Sequence, residues 1–240
     1  MFKHPAPRVV WCLGMYASGS TWLFNVTREV TQRLHPQTRV TGHYVDTTDR
    51  LGRLPAGLAV VKTHHLGRTA AQRLAAKAEV IMLSLRDPRD AVTSLMQHMG
   101  QNFLQALRWV EDSALFCAQY ADDPRTALLR YEDGFTETPE IFDVLATRLG
   151  GGLGAQAREE LFAQSRRAAI EAKIARLKDL PTAWHNPATG DVVDRDTQWH
   201  LHHAGRSGEN GRWRRLLPPE AASHVEQRLD GFMRRFGYLP

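Results

Sequence analysis

Four short segments of the chain are apolar at consecutive positions and rich in β-branched residues: 8–13 (RVVWCL), 58–63 (LAVVKT), 79–85 (EVIMLSL) and 126–131 (TALLRY). Apolarity without polar alternation is typical of strands that are buried on both faces, as in a parallel sheet. The segments between them have helical periodicity, so strand and helix alternate along the chain. We therefore predict an α/β fold of three layers, with helices on both faces of a central parallel sheet.

The helical segments and one long loop complete the predicted order of elements. Helices are predicted at 20–34, 69–77, 88–121 with a break near Gly100, 138–149, 155–178, and after Pro218-Pro219. Residues 180–212 contain Pro181, Pro187 and several glycines and have no periodicity, which predicts a long loop of the kind that is often functional. A chain of 240 residues without internal repeats suits one core, so we expect a single domain over 1–240.

Charge and cysteine content restrict the function classes. The formal net charge is +5, and only five of the 31 basic residues are lysines. This balance fits either a basic surface or a site for an anionic ligand. No nucleic-acid-binding motif is recognisable, so we expect no nucleic-acid partner.

Two cysteines cannot form a disulfide framework, and no stretch approaches the roughly 20 apolar residues of a membrane helix, so we expect a cytoplasmic protein without an integral membrane segment.

A polar cluster follows each of the four predicted strands. The clusters read YASGST, KTHH, RDPRD and YED in chain order. Because ligands of open α/β sheets bind at the carboxyl ends of the strands, we expect these clusters to form one site.

The first cluster contains a phosphate-loop pattern. Gly14 to Thr21 reads G-x-x-x-x-G-S-T, with Ser20 in the position of the lysine that contacts nucleotide phosphates in P-loop proteins. The backbone N–H groups at the start of the following helix, together with the hydroxyl of Ser18, are suited to binding an anion. The alternative is that Gly19 ends a turn and that Ser20 or Thr21 caps the helix. Without the lysine and a Walker-B-like segment, binding of Mg-ATP is disfavoured.

The second and third clusters supply charge and a base. Lys62 can neutralise developing negative charge, and His64 nearby can accept a proton from an attacking hydroxyl. The alternative for His64 or its neighbour is a strand-end histidine bonded to backbone. Arg86 at a strand end and Ser94 on the following helix could hold one phosphate between a guanidinium fork and a hydroxyl.

The start of the helix after the third strand has its own polar residues. Asp87 is predicted as the N-cap, with Pro88 in the first turn. Arg89 and Asp90 are interpreted as solvated charges at the start of this helix.

Taken together, the clusters resemble in order and spacing the sulfotransferases that use 3′-phosphoadenosine-5′-phosphosulfate (PAPS). In that family a P-K-S-G-T-T-W loop holds the 5′-phosphosulfate. The matching residues here are Ser18, Gly19, Ser20, Thr21 and Trp22. A K-T-H element carries the catalytic base, which the resemblance assigns to His64 beside Lys62. An arginine and a serine eight residues apart hold the 3′-phosphate, matched by Arg86 and Ser94.

Two later elements extend the resemblance over residues 8–236. The family's Y-E-D, whose tyrosine lies near the adenosine, is matched at Tyr131. Its late R-K-G-x-x-G-D-W-K segment, which covers the 3′-phosphate, is similar to RSGENGRWR, so the resemblance implies contacts from Arg206, Ser207 and Gly208. Ser165 stands where the family often has an adenine-side threonine or serine.

The chain also departs from the family pattern. Ala17 replaces the basic residue that precedes S-G in the loop, and the late segment has Ser207 for lysine and Arg212 for aspartate. The effect of Ala17 on activity is left open.

The resemblance implies transfer of a sulfuryl group from PAPS to a hydroxyl, or alternatively an amine, leaving adenosine 3′,5′-bisphosphate (PAP) and requiring no metal. The acceptor is expected to be a small molecule, a glycan or a lipid. Residues 42–54 and 180–212 are predicted to line its pocket. The histidines of the second segment lack a carboxylate or thiolate at metal-binding spacing, so no metal site is predicted. The alternatives are a P-loop kinase or other phosphotransferase, and a nucleotide-binding homologue without catalysis; the oligomeric state stays open.

Overall fold

The computed structural model describes residues 8–46, 54, 57–187, 190–201 and 208–240. Its centre is a five-stranded parallel sheet with the strand order β2-β3-β1-β4-β5. The strands are β1 (Arg8–Gly14), β2 (Val40–Tyr44), β3 (Leu58–Thr63), β4 (Ala78–Leu85) and β5 (Thr126–Arg130). The four strands predicted from the sequence are therefore present, and the α/β architecture is confirmed.

Side chains of β1 show why the strand sequences are apolar at consecutive positions. Val9, Trp11 and Leu13 pack into a core on one face of the sheet, whereas Val10 and Cys12 pack into a second core on the other face. Helices cover both faces, so neither set of alternate residues meets water. This arrangement gives the three predicted layers and places β1 in the middle of the sheet.

The helices follow the predicted order but differ from the prediction at 155–178 and after residue 212, where a short helix was not predicted and the single helix predicted after Pro218-Pro219 is divided in two. They are α1 (Ser20–Leu34), α2 (Arg68–Lys77), α3 (Pro88–Met99), α4 (Phe103–Ala118), α5 (Glu140–Arg148), α6 (Ala155–Ser165), α7 (Arg167–Ala175), α8 (Trp213–Leu216), α9 (Pro219–Arg228) and α10 (Asp230–Arg235). Gly100, with φ 62°, separates α3 from α4 as predicted. The single helix predicted at 155–178 is wrong, because Arg166 is extended at φ −57° and ψ 149°. The carbonyl of Ser165 accepts a hydrogen bond from Trp22 at this break.

Strand β2 was missed by the sequence prediction. It pairs with β3 at one edge of the sheet, and its side chains are only half-buried. An edge strand with the sequence VTGHY has neither a continuous apolar run nor a clean alternation. Gly42 leaves room for the side chain of Arg28, whose Nε would lie 2.5 Å from an added Cβ.

The loop predicted at 180–212 is partly ordered into a hairpin. Its strands are β6 (Ala183–His185) and β7 (Val192–Asp194), which pair in antiparallel fashion. Three-residue strands are too short to show periodicity, which explains the error. Residues 188–189 and 202–207 of this segment lie outside the described part of the chain. Within the described ranges, the helices are too short or too polar to traverse a lipid bilayer.

Candidate active site

The phosphate loop connects β1 to α1 and is anchored by β4. The backbone N–H of Met15 donates to the carbonyl of Ser84 at 3.0 Å, and the Ser18 hydroxyl lies 2.8 Å from that of Ser84. Gly14 leaves room for this contact, because a Cβ there would stand 2.4 Å from Ser84 Oγ. Sequence reasoning missed Ser84; its signal was a hydroxyl within an otherwise apolar strand end.

The N-terminus of α1 is left open towards the loop. Its N-cap is Gly19, in a left-handed conformation at φ 77°, and no side chain caps the helix. The alternative interpretation of Ser20 or Thr21 as the cap is therefore wrong. First-turn N–H groups of a helix have no partner within the helix, and the helix dipole favours an anion beside them.

Lys62 supplies positive charge at this helix end. It is the fifth residue of β3, is 3% exposed, and donates from Nζ to Oγ1 of Thr21 at 2.7 Å. The ring of Tyr44 lies 5.6 Å from Nζ. Burial lowers the pKa of Lys62 to about 7, because the charged ammonium has lost most of its hydration.

His64 lies beside the same loop in the neutral state. Its Nδ1 is 2.7 Å from the carbonyl of Gly14, so Nδ1 carries the proton and the lone pair of the neutral ring is on Nε2. Burial, followed by the nearby charge of Lys62, lowers the pKa of His64 to about 3. The adjacent His65 is exposed and contacts Phe116 instead. Of the two histidines, only His64 therefore lies beside the loop.

Arg86 brings a second cation close to the loop. Its Nη1 donates to the carbonyl of Ala17 at 3.1 Å, and its guanidinium stacks on the ring of Tyr131 at 4.3 Å. Nε of Arg86 is buried without a hydrogen-bond partner among the described residues. Ala17 itself has a left-handed backbone at φ 59°. The charge that the loop lacks at Ala17 is therefore present in a neighbouring side chain.

The late segment is fixed to the start of α3. Asp90 accepts backbone hydrogen bonds from Gly211 at 2.6 Å and Trp213 at 2.9 Å. Arg89 pairs with Asp87 at 2.7 Å and stacks on Trp213 at 4.0 Å. Arg89 and Asp90 are 6% and 2% exposed, so the interpretation of both as solvated charges is wrong. The donors to Asp90 and the ring that stacks on Arg89 come from a segment distant in sequence, which no local pattern reveals.

Asp87 and the end of the late segment complete this region. Asp87 accepts from the backbone N–H of Arg89, which confirms it as N-cap with Pro88 in the first turn. Gly208 lies against Tyr131, since a Cβ at Gly208 would stand 2.4 Å from the tyrosine hydroxyl. Arg206 and Ser207, predicted to contact the 3′-phosphate, lie outside the described residues.

Trp22 and Ser165 meet at the rim of a cavity. Trp22 Nε1 donates to the carbonyl of Ser165 at 2.8 Å, and the Ser165 hydroxyl donates to the carbonyl of Phe162. The cavity has a volume of about 270 Å³. Apolar side chains dominate its lining, which includes Val26, Phe142, Leu161, Ile170, Leu177, Leu180 and Trp199.

Ser94 and part of the segment predicted to line the acceptor pocket take no part in the hydrogen bonds that join Lys62, His64 and Arg86 to the phosphate loop. Ser94 is half-buried on α3 and shares no hydrogen bond with Arg86. Residues 190–201, which include β7 and are called the hairpin segment below, pack on α1. The backbone carbonyls of Thr197 and Asp196 accept hydrogen bonds from the side chains of Asn25 and Arg28. The role of the hairpin segment as part of an acceptor pocket stays a prediction. Among the described residues, no three His, Cys, Asp or Glu side chains form a group that could hold a metal ion.

Comparisons with known proteins find a likeness in structure. No protein-family model matches the sequence. No curated protein matches it significantly. A mouse sulfotransferase complexed with PAP superposes with a TM-score of 0.62 at 14% identity, covering 98% of this chain and 85% of that one.

Retinol dehydratase gives the same result in two complexes. With androsterone and the inactive cofactor PAP it has a TM-score of 0.64, covering 97% of this chain and 82% of its own. With retinol and PAP the TM-score is 0.61, with coverage of 97% and 83%. Identity is 14% in both cases. The fold implied by the resemblance of the sequence motifs is confirmed: the chain has the fold of the sulfotransferases.

Proposed function

We propose that the protein transfers a sulfuryl group from PAPS to a hydroxyl group of a small-molecule acceptor. The observation that carries this proposal is the meeting of Lys62 and His64 at the uncapped N-terminus of α1. A buried cation, a neutral base and a row of backbone N–H groups are what transfer of an anionic group between two oxygens requires.

His64 acts in this scheme as the general base. Nε2 accepts the proton of the acceptor hydroxyl while a bond forms from the acceptor oxygen to sulfur. The bond from sulfur to the 5′-phosphate oxygen breaks at the same time, so the products are the sulfated acceptor and PAP. Lys62 and the N–H groups from Ser18 to Thr21 stabilise the charge that develops on the departing phosphate oxygen.

The other end of the nucleotide has its own set of residues. We assign the 3′-phosphate to Arg86 and Ser94, together with Arg206, Ser207 and Gly208 of the late segment. The buried, unpartnered Nε of Arg86 supports this assignment, because a buried guanidinium nitrogen without an acceptor is costly. The cavity beside Trp22 and Ser165 and the ring of Tyr131 are suited to the adenosine.

The neighbours in structure support the donor and the kind of acceptor. All three solved complexes contain PAP, and the retinol dehydratase complexes contain androsterone or retinol. We therefore favour a small molecule over a glycan as the acceptor.

Calorimetric titration with PAP, AMP and ATP with magnesium tests the donor. We expect PAP to bind without magnesium and at least about tenfold more tightly than AMP, because a charge-assisted contact to the 3′-phosphate contributes about 1.5–3 kcal/mol. Equal affinities for PAP and AMP would contradict the assignment of Arg86 and Ser94 to the 3′-phosphate. Magnesium-dependent ATP binding without a response to PAP would support a phosphotransferase instead.

Replacing Arg86 tests the same assignment within the protein. Arg86→Met is expected to weaken PAP about 10- to 100-fold and AMP much less, because AMP lacks the 3′-phosphate. Arg108, which is 82% exposed at its side chain, provides a control with the same loss of charge. Arg108→Met should leave both affinities within about twofold. A parallel weakening of PAP and AMP by Arg86→Met would contradict the assignment.

Ala17 provides a gain-of-binding prediction. Ala17→Lys restores a charge beside the loop and is expected to strengthen PAP binding about fivefold over Ala17→Met, close to the 1 kcal/mol of an exposed charge pair. Both variants keep a Cβ at the left-handed position, so backbone strain is matched. Calorimetry of the two variants side by side gives the comparison. Identical affinities would show that Arg86 and Lys62 already supply the required charge.

A further inference from the structure

Two aromatic rings, those of Tyr16 and Tyr44, lie close to His64, and a third ring packs against Tyr16. The ring of Tyr16 stacks on the imidazole with a centroid distance of 4.2 Å and an interplanar angle of 17°. Trp109 of α4 contacts Tyr16 at 5.2 Å, and Tyr44 of β2 lies 6.2 Å from the imidazole at 59°. The ring of Tyr16 is nearly parallel to the imidazole and in contact with it, whereas the ring of Tyr44 is inclined and more distant. Tyr16 is therefore the ring that limits how the imidazole can tilt.

Tyr16 is held in place by two other elements. Its backbone N–H donates to Oγ of Ser113 at 3.3 Å, and Ser113 is fully buried on α4, where its hydroxyl donates to the carbonyl of Val110. The hydroxyl of Tyr16 is hydrogen-bonded with Tyr44. A ring supported from α4 and from β2 has little freedom to move away from His64.

The imidazole of His64 depends on such a support. Nδ1 lies 2.7 Å from the carbonyl of Gly14, and the backbone of the adjacent Met15 also forms a hydrogen bond with the ring. Both partners belong to one short backbone segment, so these bonds hold one edge of the ring but still permit the ring plane to tilt about that edge. Any such tilt moves Nε2, the nitrogen that accepts the proton in the proposed reaction.

We propose that Tyr16 is a positioning residue for His64, whose stacked ring keeps Nδ1 on the carbonyl of Gly14 and Nε2 in one direction. This inference rests on the proposed role of His64 as the base. Family resemblance does not suggest it, because Tyr16 lies outside the matched motif from Ser18 to Trp22.

Charged and titratable groups around His64 come from several elements. Lys62 of β3 and His200 of the hairpin segment act on its pKa, and Asp46 and Asp112 act on Tyr16. Tyr16 adds burial rather than charge. Removing its ring is therefore expected to admit water and shift the pKa of His64 from about 3 towards the ordinary value.

Turnover of Tyr16 variants gives the first readout. Tyr16→Ala should lower kcat about 10- to 100-fold, since small misplacements of a catalytic group have effects of that size. The KM for PAPS should change less than about twofold, because Tyr16 is not assigned to the nucleotide. Tyr16→Phe keeps the ring and should retain kcat within about twofold. The rate is followed as PAP formed from PAPS with a cell extract as the acceptor source.

Nitrogen-15 NMR of histidine-labelled protein gives a second readout that needs no turnover. His64→Gln identifies the signals of His64 by their disappearance. Wild type and Tyr16→Phe should show one neutral tautomer with the proton on Nδ1, whereas Tyr16→Ala should show both tautomers and a raised pKa. If Tyr16→Ala does not fold, Tyr16→Leu keeps the bulk without the flat ring and should show the same mixture of tautomers.

An unchanged tautomer and pKa of His64 in the folded Tyr16→Ala or Tyr16→Leu variant would overturn the positioning role, as would equal loss of activity in Tyr16→Phe. The two proposals fail separately. If the wild-type protein transfers no sulfuryl group, but Tyr16→Ala still shows both tautomers and a raised pKa of His64, the proposed function is contradicted and the positioning role is supported.

Discussion

His64→Ala should lower turnover about 10²- to 10⁴-fold, the range that general-base catalysis contributes. The affinity for PAP should stay within about threefold, because the imidazole faces the acceptor hydroxyl in the proposed reaction and the nucleotide phosphates contact other groups. The neutral imidazole with its lone pair on Nε2 is the physical basis of this expectation. Steady-state rates with saturating PAPS, together with calorimetry of PAP, give both quantities.

His65→Ala is the matched control for this substitution. His65 is the neighbouring histidine, but its side chain is exposed and contacts Phe116 rather than the loop. The His65→Ala variant should retain at least about half of the wild-type turnover rate. Near-normal turnover in His64→Ala, or a similar loss in both variants, would show that His64 is not the base.

Lys62→Met should lower kcat about 10²- to 10³-fold, comparable to the removal of one donor from a preorganised charge-stabilising site. Lys62 donates to Thr21 at the first turn of α1, next to the position proposed for the departing phosphate. Methionine has a similar length and suits a buried position, so the variant is expected to fold. Its melting temperature checks this, and near-normal kcat in a folded variant would contradict the role of Lys62.

The pH dependence of PAP binding tests Lys62 in the unmodified protein. Free protein has a Lys62 pKa of about 7, and bound phosphates raise this pKa because they favour the ammonium. Binding therefore takes up a proton above pH 7, and PAP affinity should fall as pH rises from about 7, by up to about tenfold per pH unit. Lys62→Met should lose this dependence. If PAP affinity fell equally with pH in wild type and Lys62→Met, the titrating group would be a residue other than Lys62.

The central strands could be predicted from sequence because their two faces are both buried. In β3, Leu58, Ala59, Val60 and Val61 are apolar at consecutive positions for that reason, and β1 and β4 contain similar runs. Strand β2 could not be predicted, since VTGHY has neither a continuous apolar run nor a clean alternation, and β6 and β7 could not be predicted because three residues are too few to show a period. The break at Arg166 coincides with a hydrogen bond from Trp22 to the carbonyl of Ser165, and a partner so distant in sequence leaves no local signal.

The motifs at the strand ends identified the candidate site, but not how its parts interact. Lys62 and the loop were predicted separately, and the structure joins them through Thr21. Asp90 was misinterpreted because its partners, Gly211 and Trp213, come from a segment about 120 residues later. Tyr16 was overlooked, since nothing in the sequence indicates which ring stacks on an imidazole.

Transfer of labelled sulfate is the most direct test of the proposed activity. PAPS with a heavy-isotope sulfuryl group is incubated with a cell extract and either wild-type protein or His64→Ala, and products are detected by mass spectrometry. We expect the wild-type protein to form PAP and at least one labelled sulfated small molecule without added magnesium, and His64→Ala to form both at least about 100-fold more slowly. Binding of PAP without any labelled product, across extracts of different composition, would contradict sulfuryl transfer and leave a nucleotide-binding protein.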